Sequence, residues 1–233
     1  MTERVVITGA NRGLGLALAH RYHERGDVVL AGCRRPGDAA ELRALTDHVH
    51  ALDLGDEASI DAFAAALGDD AIDVLINNGG IDGRSLGAGD DDRDVLQLSP
   101  EHFMGEIRVN TLGPLLLVRA LLDRLQAAAR PRIVNVSSQV GSMEIAARMG
   151  RDIGYTASKA ALNMVSVKLA GRLREDGVVV VSLHPGYLRT DMGSASADLD
   201  PAEAAADIAD LADRLTLAES GSFLRWDGSV HPW

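Results

Sequence analysis

"RVVITGANRGLG", residues 4–15, sets a short apolar, β-branched run against a turn that carries glycine at positions 9, 13 and 15. The run reads as a strand covered on both faces, and the Ala/Leu-rich segment 13–25 that follows reads as a helix. A glycine-rich turn between strand and helix lets the main chain approach a diphosphate closely, and the helix start offers unpaired N–H groups with a partial positive charge. Gly9, Gly13 and Gly15 form the expected cradle, with Asn11, Arg12 and Leu14 between them. The spacing is G-x-x-x-G-x-G, so the general G-x-G-x-x-G dinucleotide fingerprint does not describe it. Taken alone, the turn is also compatible with a tight turn that binds nothing.

Outward from this unit the same rhythm repeats. The short runs "DVVLAG", "HVHAL", "AIDVLI", "PRIVNVS", "VVVVSL" and "SFLRW" alternate with helical patterns at 59–67, 108–129, 155–175 and 201–215. Strands that are apolar throughout, rather than alternating, suit a parallel sheet covered by helices on both sides. The expected architecture is a single-domain, doubly wound Rossmann α/β fold over residues 1–233, with a parallel sheet of about seven strands flanked by helices. No repeat or linker interrupts it, and the acidic "GAGDDDRD" at 87–94 reads as a solvated loop.

Hydrophobic residues make up 46% of the 233 positions, enough for a large core. A net charge of −11 without a Lys/Arg cluster argues against nucleic acid and anionic membranes, which need a positive footprint, and leaves a small molecule as the expected partner. Cys33 is the sole cysteine, so there is no internal disulfide and no thiolate set for zinc; His48 and His50 lack a third ligand, and no metal site is expected. The start "MTERVVITG" lacks the features of a signal peptide, and no run reaches the length of a membrane span, so a cytoplasmic protein is expected.

"YTASK", residues 155–159, holds one of only two lysines in the chain. Tyr155 and Lys159 stand at i and i+4 on one helix face, which brings an ammonium near a phenol. A free tyrosine has a pKa of about 10, and a neighbouring cation favours its ionised form, so Tyr155 is a candidate general acid/base.

Together "TGANRGLG", "INNGG", "VNTLG", "IVNVSS", "YTASK" and "HPGYLRTDM" follow the order and spacing of the short-chain dehydrogenase/reductase family, over the whole chain. The ending "SGSFLRWDGSVHPW" resembles its carbonyl-reductase branch, which includes sniffer-type and C-factor-like members. The resemblance implies an NADP(H)-dependent oxidoreductase that moves a hydride between the nicotinamide and a ketone or aldehyde, with a catalytic set of Asn110, Ser138, Tyr155 and Lys159. A dinucleotide-binding regulatory protein on the same fold is the second reading. The family also implies assembly as a homodimer or homotetramer.

By the same resemblance Asp53 and Leu54 lie near the adenine, Asn77 and Gly79 near the adenosine ribose, and Pro185, Gly186, Leu188 and Thr190 near the nicotinamide, with Lys159 also holding its ribose. Asp53 also reads as a turn or helix cap, and Asn77 as purely structural. Gly79 replaces the alanine usual at that place. The family's commonest serine-to-tyrosine spacing lands on Ser142, but the strand "RIVNVS" and the pattern "SSxxG" register on Ser138, which makes 141–153 a lengthened loop. Segment 81–99 is the other long loop expected beside the substrate. Arg34 follows Cys33 at the end of the second strand, where NAD-using enzymes place an acid, so NADP(H) is expected, with Arg12 as a second partner for its 2′-phosphate.

Overall fold

The computed structural model describes residues 2–192 and 197–233. Its sheet comprises β1 (Arg4–Thr8), β2 (Val28–Cys33), β3 (Val49–Ala51), β4 (Val74–Asn77), β5 (Arg132–Val136), β6 (Val179–His184) and β7 (Phe223–Arg225), all parallel, in the order β3-β2-β1-β4-β5-β6-β7. The sheet and its flanking helices form the single-domain Rossmann-like fold expected from the strand rhythm. The order reverses beside β1, so the connections after β1 and β4 leave in opposite directions and open a crevice at the carboxyl ends of these strands.

Helices α1 (Gly13–Glu24), α2 (Ala40–Leu45), α3 (Glu57–Ala66), α4 (Pro100–Ile107), α5 (Gly113–Gln126), α6 (Met143–Ala146), α7 (Ile153–Leu173) and α8 (Pro201–Arg214) cover the sheet. Neighbouring residues of one strand enter different cores. Val5 and Ile7 join Leu18, Tyr22 and Ile208 on one face, while Val6 joins Phe63, Leu117 and Leu121 on the other. This division explains why the strands read as continuous apolar runs. No helix among the described residues is long and apolar enough to cross a membrane.

The helix expected at 108–129 is built differently. It starts earlier, at Pro100, where the Ser99 side chain accepts a hydrogen bond from His102 N–H. A π-helical turn, Arg108–Leu112, then separates α4 from α5. Pro114 has no N–H for the carbonyl four residues back, and the widened turn accommodates the missing rung. That turn displays Asn110.

Candidate active site

The crevice at the strand ends is a cleft of about 720 Å³, in the size range of small-molecule sites. Its floor is the turn after β1. Gly9 has φ +64, and a Cβ there would come within 2.8 Å of Gly79 Cα, so two main chains meet at van der Waals distance. Thr8 Oγ1 accepts from Gly79 N–H at 2.8 Å, and Asn78 Nδ2 donates to Thr8 O at 2.9 Å. At Gly79, where alanine is usual, a Cβ would stand 2.9 Å from Leu54 Cδ1, the far end of a flexible side chain that can turn aside. No side chain caps the start of α1, and no acidic residue occupies its first turn, which leaves the helix N–H groups open to an anion. These features fit a dinucleotide diphosphate.

Asn11, Arg12, Gly13 and Leu14 line the cleft beside Gly9, while Gly15 is buried behind the turn, where a Cβ would strike Gly9 O. Arg34, Asp53 and Leu54 also line the cleft, Leu54 packing against Gly79. Asp53 accepts from Gly55 N–H at 2.8 Å, closing a turn, and the cap of α3 is Asp56 instead. Pro185, Leu188 and Thr190 border the opposite side; Gly186 is not on the wall. Nor is Asn77, which is 1% exposed and donates from its amide to Asn135 Oδ1 across the β4–β5 register. Asn77 and Asn135 are register partners whose side chains leave the same face of the sheet, and the residue on the cleft lining is Asn78.

Tyr155 and Lys159 lie together on the wall formed by α7, with Lys159 Nζ 5.7 Å from the Tyr155 ring centre. Ser138, just past the end of β5, is within hydrogen-bond reach of the phenol, while the serine on the cleft lining is Ser137, whose hydroxyl donates to Lys159 O at 3.4 Å. Ser142 is elsewhere: it is fully buried, donates to Trp233 O at 3.0 Å and caps α6. Asn110 uses its amide to bridge Ile81, accepting from its N–H and donating to its carbonyl, each at 2.8 Å, and donates also to Ser158 Oγ at 2.9 Å. Its oxygen and Lys159 Nζ both face Gly80.

Burial pushes the Tyr155 phenol up to about 12, opposed by the bond from Ser138. The lowering by lysine expected from the i, i+4 spacing is not the leading effect. The ammonium donates to Val136 O at 2.8 Å, and its own burial pushes Lys159 down to about 8. At neutral pH the pair is therefore a protonated phenol beside a protonated amine.

Several wall residues carried no readable signal. Asp191 pairs with Arg12 at 2.7 Å across the mouth, between the glycine turn and the "HPGYLRTDM" segment. Glu41, from the short α2, brings a carboxylate to the Arg34 side. Asn78 could have been found from "INNGG" by asking which of two adjacent asparagines leaves the strand. His184 is not on the cleft lining; as a packed histidine at the end of β6 it is buried and accepts from Gln139 N–H at 3.2 Å, next to Ser138.

The family model for the short-chain dehydrogenases matches residues 3–200. The chain belongs to the short-chain dehydrogenase family. This short-chain dehydrogenase is 36% identical over 172 residues to "C-signal" of Myxococcus xanthus, an alignment that covers 74% of this chain and 99% of that one. The structure of an NADPH-bound carbonyl reductase from chicken fatty liver superposes with a TM-score of 0.89 at 31% identity, covering 100% of this chain and 99% of the other. The carbonyl reductase Sniffer of D. melanogaster gives 0.89 at 30% identity, with 100% of both chains covered. The carbonyl-reductase-like branch expected from the C-terminal motif is thus the one these relatives represent.

Proposed function

We propose that this short-chain dehydrogenase is an NADPH-dependent carbonyl reductase acting on a ketone or aldehyde. The observation that carries the reading is that Tyr155 and Lys159 stand together on one wall of the cleft that also holds the glycine floor, with Ser138 within reach of the phenol. The NADPH-bound and Sniffer carbonyl reductases that share the fold support the choice of cofactor and reaction.

When bound, NADPH supplies a hydride to the carbonyl carbon. Tyr155 gives its O–H proton to the carbonyl oxygen, completing the alcohol, and is left as a phenolate. A phenol raised to about 12 stays protonated at neutral pH, which suits the reductive direction. Ser138 donates to the same oxygen as negative charge gathers on it. Lys159, still charged below about pH 8, stabilises the phenolate and would hold the nicotinamide ribose. Gly9, Gly13 and the start of α1 would take the diphosphate, and Arg34 the 2′-phosphate. Asn110 holds Ile81 and Ser158 of α7 together beside the lysine.

The test is a panel of ketones, aldehydes and quinones assayed with NADPH and with NADH. Turnover of at least one carbonyl class with NADPH, at ten times the efficiency with NADH or better, is expected. Tight NADPH binding without turnover of any class would favour the regulatory reading.

A further inference from the structure

The two long loops meet under the catalytic helix. Asp152, the residue before α7, is the only non-glycine with positive φ among the described residues, at 59°. It does not cap the helix with its side chain. Its carboxylate instead accepts from Arg93 Nε at 2.5 Å, while its own N–H donates to Arg93 O at 2.7 Å, so one residue of the 81–99 loop holds both main chain and side chain of Asp152. A second pair runs the other way. Arg151 Nη2 donates to the carbonyl and carboxylate of Asp90, at 2.9 and 3.0 Å, and Asp94 and Arg151 form an antiparallel bridge.

Beneath this clasp lies Glu106 of α4, 4% exposed. It lines a closed crevice of about 10 Å³ with Arg93, Asp152 and Gly154. A Cβ at Gly154 would collide with the Glu106 carboxylate, so that carboxylate packs directly on the turn of α7 that begins Tyr155. We propose that Arg93, Asp152 and Glu106 are positioning residues: they fix the first turn of α7, and with it the direction of the Tyr155 phenol, by locking the 81–99 loop to the start of the catalytic helix. The inference rests on the acid/base reading of Tyr155.

The clasp carries a pH dependence. Glu106 faces Asp82 and the Gly83 N–H from the loop after β4, Arg93 and Asp92 from the next turn, His102 on its own helix, and Asp152 and Tyr155 from the start of α7. Arg84 is occupied by Asp82. Burial, with Asp82 and Asp152 adding to it, pushes Glu106 up to about 7. Once it ionises, its charge is repelled by those of Asp82 and Asp152, the latter being the carboxylate that Arg93 holds, and the clasp loosens as pH rises through about 7.

The experiment compares Arg93→Gln, Arg93→Lys, Asp152→Gly and Glu106→Gln with the wild type. It reads kcat at saturating NADPH and carbonyl, NADPH affinity by fluorescence, thermal midpoint, and amide hydrogen exchange at 153–156. Arg93→Gln should lower kcat at least tenfold, leave NADPH affinity within twofold and speed exchange in the first turn of α7; Arg93→Lys should fall between it and wild type. Asp152→Gly is the sharper variant, because glycine relieves the left-handed backbone without loss of fold. It should lower kcat as Arg93→Gln does while the thermal midpoint holds or rises. Glu106→Gln should remove the loss of kcat between pH 6 and 8. Wild-type kcat in Asp152→Gly, or unchanged exchange in Arg93→Gln, overturns the clasp, and an unaltered pH limb in Glu106→Gln overturns its pH sensitivity. Tyr155→Phe run in parallel separates the failures: a full rate there sinks the acid/base assignment alone, and the exchange readout still decides the clasp.

Discussion

The glycine floor of the cleft is main chain fastened by two side chains, Thr8 and Asn78, whereas the Tyr155 wall is a lattice of buried polar side chains drawn from β5, the π-turn and α7. The floor admits no side chain at Gly9, where φ is positive and a Cβ would stand 2.8 Å from Gly79 Cα. The wall depends on which partner each polar atom finds. Asn110 ties Ile81 to Ser158, Ser158 Oγ returns to Tyr155 O at 2.7 Å, and Lys159 reaches Val136 O. Changes on the wall should therefore appear in turnover and changes on the floor in cofactor binding, with Lys159 belonging to both.

The largest break expected is Tyr155→Phe. Loss of a positioned general acid lowers rates by about 10²–10⁴-fold, and NADPH affinity should stay within threefold of wild type. Lys159→Ala should lower kcat and weaken NADPH binding together, measured by steady-state kinetics and fluorescence titration. A Lys159→Ala protein with wild-type affinity would detach the lysine from the floor.

Next in size, Ser138→Ala should lower kcat by about 10–100-fold through loss of one donor to the developing oxyanion. Ser142→Ala should leave kcat nearly unchanged and reduce the thermal midpoint, because its hydroxyl serves α6 and Trp233 rather than the cleft. The reverse pattern would move the serine of the wall.

The floor's counterpart is coenzyme choice. A charge-assisted hydrogen bond of about 1.5–3 kcal/mol makes Arg34→Ala lower kcat/KM with NADPH by about 10–100-fold while barely touching NADH. Glu41→Gln should raise the NADPH preference a few-fold, since its carboxylate shares that side of the cleft. Equal losses with both coenzymes in Arg34→Ala would place the arginine outside phosphate recognition.

Much of this contrast was legible in the sequence. Positive φ and close approach at Gly9 demand glycine, so "TGANRGLG" announces a tight turn from residue type and a candidate floor only through its place between strand and helix, and the apolar strands announce a doubly covered sheet. On the wall, the spacing of Tyr155 and Lys159 itself pointed to a general acid/base, whereas Ser138 and Asn110 were given roles only by resemblance. Spacing correctly put Lys159 beside Tyr155, yet it could not say that the ammonium would be turned to Val136 O, or that burial would dominate the phenol. The Asn77 and Asn78 roles hinge on which of the two is the last residue of β4, a difference of one position. The pairing of Arg93 with Asp152 joins positions 59 apart on two irregular loops, for which local pattern carries no information.

The smallest effect expected is on stability at acid pH. Burial, with help from the neighbouring His231 and Arg225, lowers His184 to about 4, and its neutral ring accepts from Gln139 N–H. Its folded pKa lies below the unfolded value of about 6.5, so its contribution is complete above that value and is lost as pH falls toward 4. The thermal midpoint should fall in that window, and His184→Gln should flatten the fall. An unchanged slope would assign the acid limb to other groups.

The central claim is that Tyr155 completes a hydride transfer from reduced cofactor to a carbonyl carbon, and the fate of a deuterium label tests it most directly. With NADPH labelled on the transferable position of the nicotinamide, the product alcohol should carry deuterium on its carbinol carbon, and the same product should form at least a hundredfold more slowly with Tyr155→Phe. Cofactor oxidation that leaves the carbinol carbon unlabelled, or equal rates of labelled product from both proteins, would contradict the account.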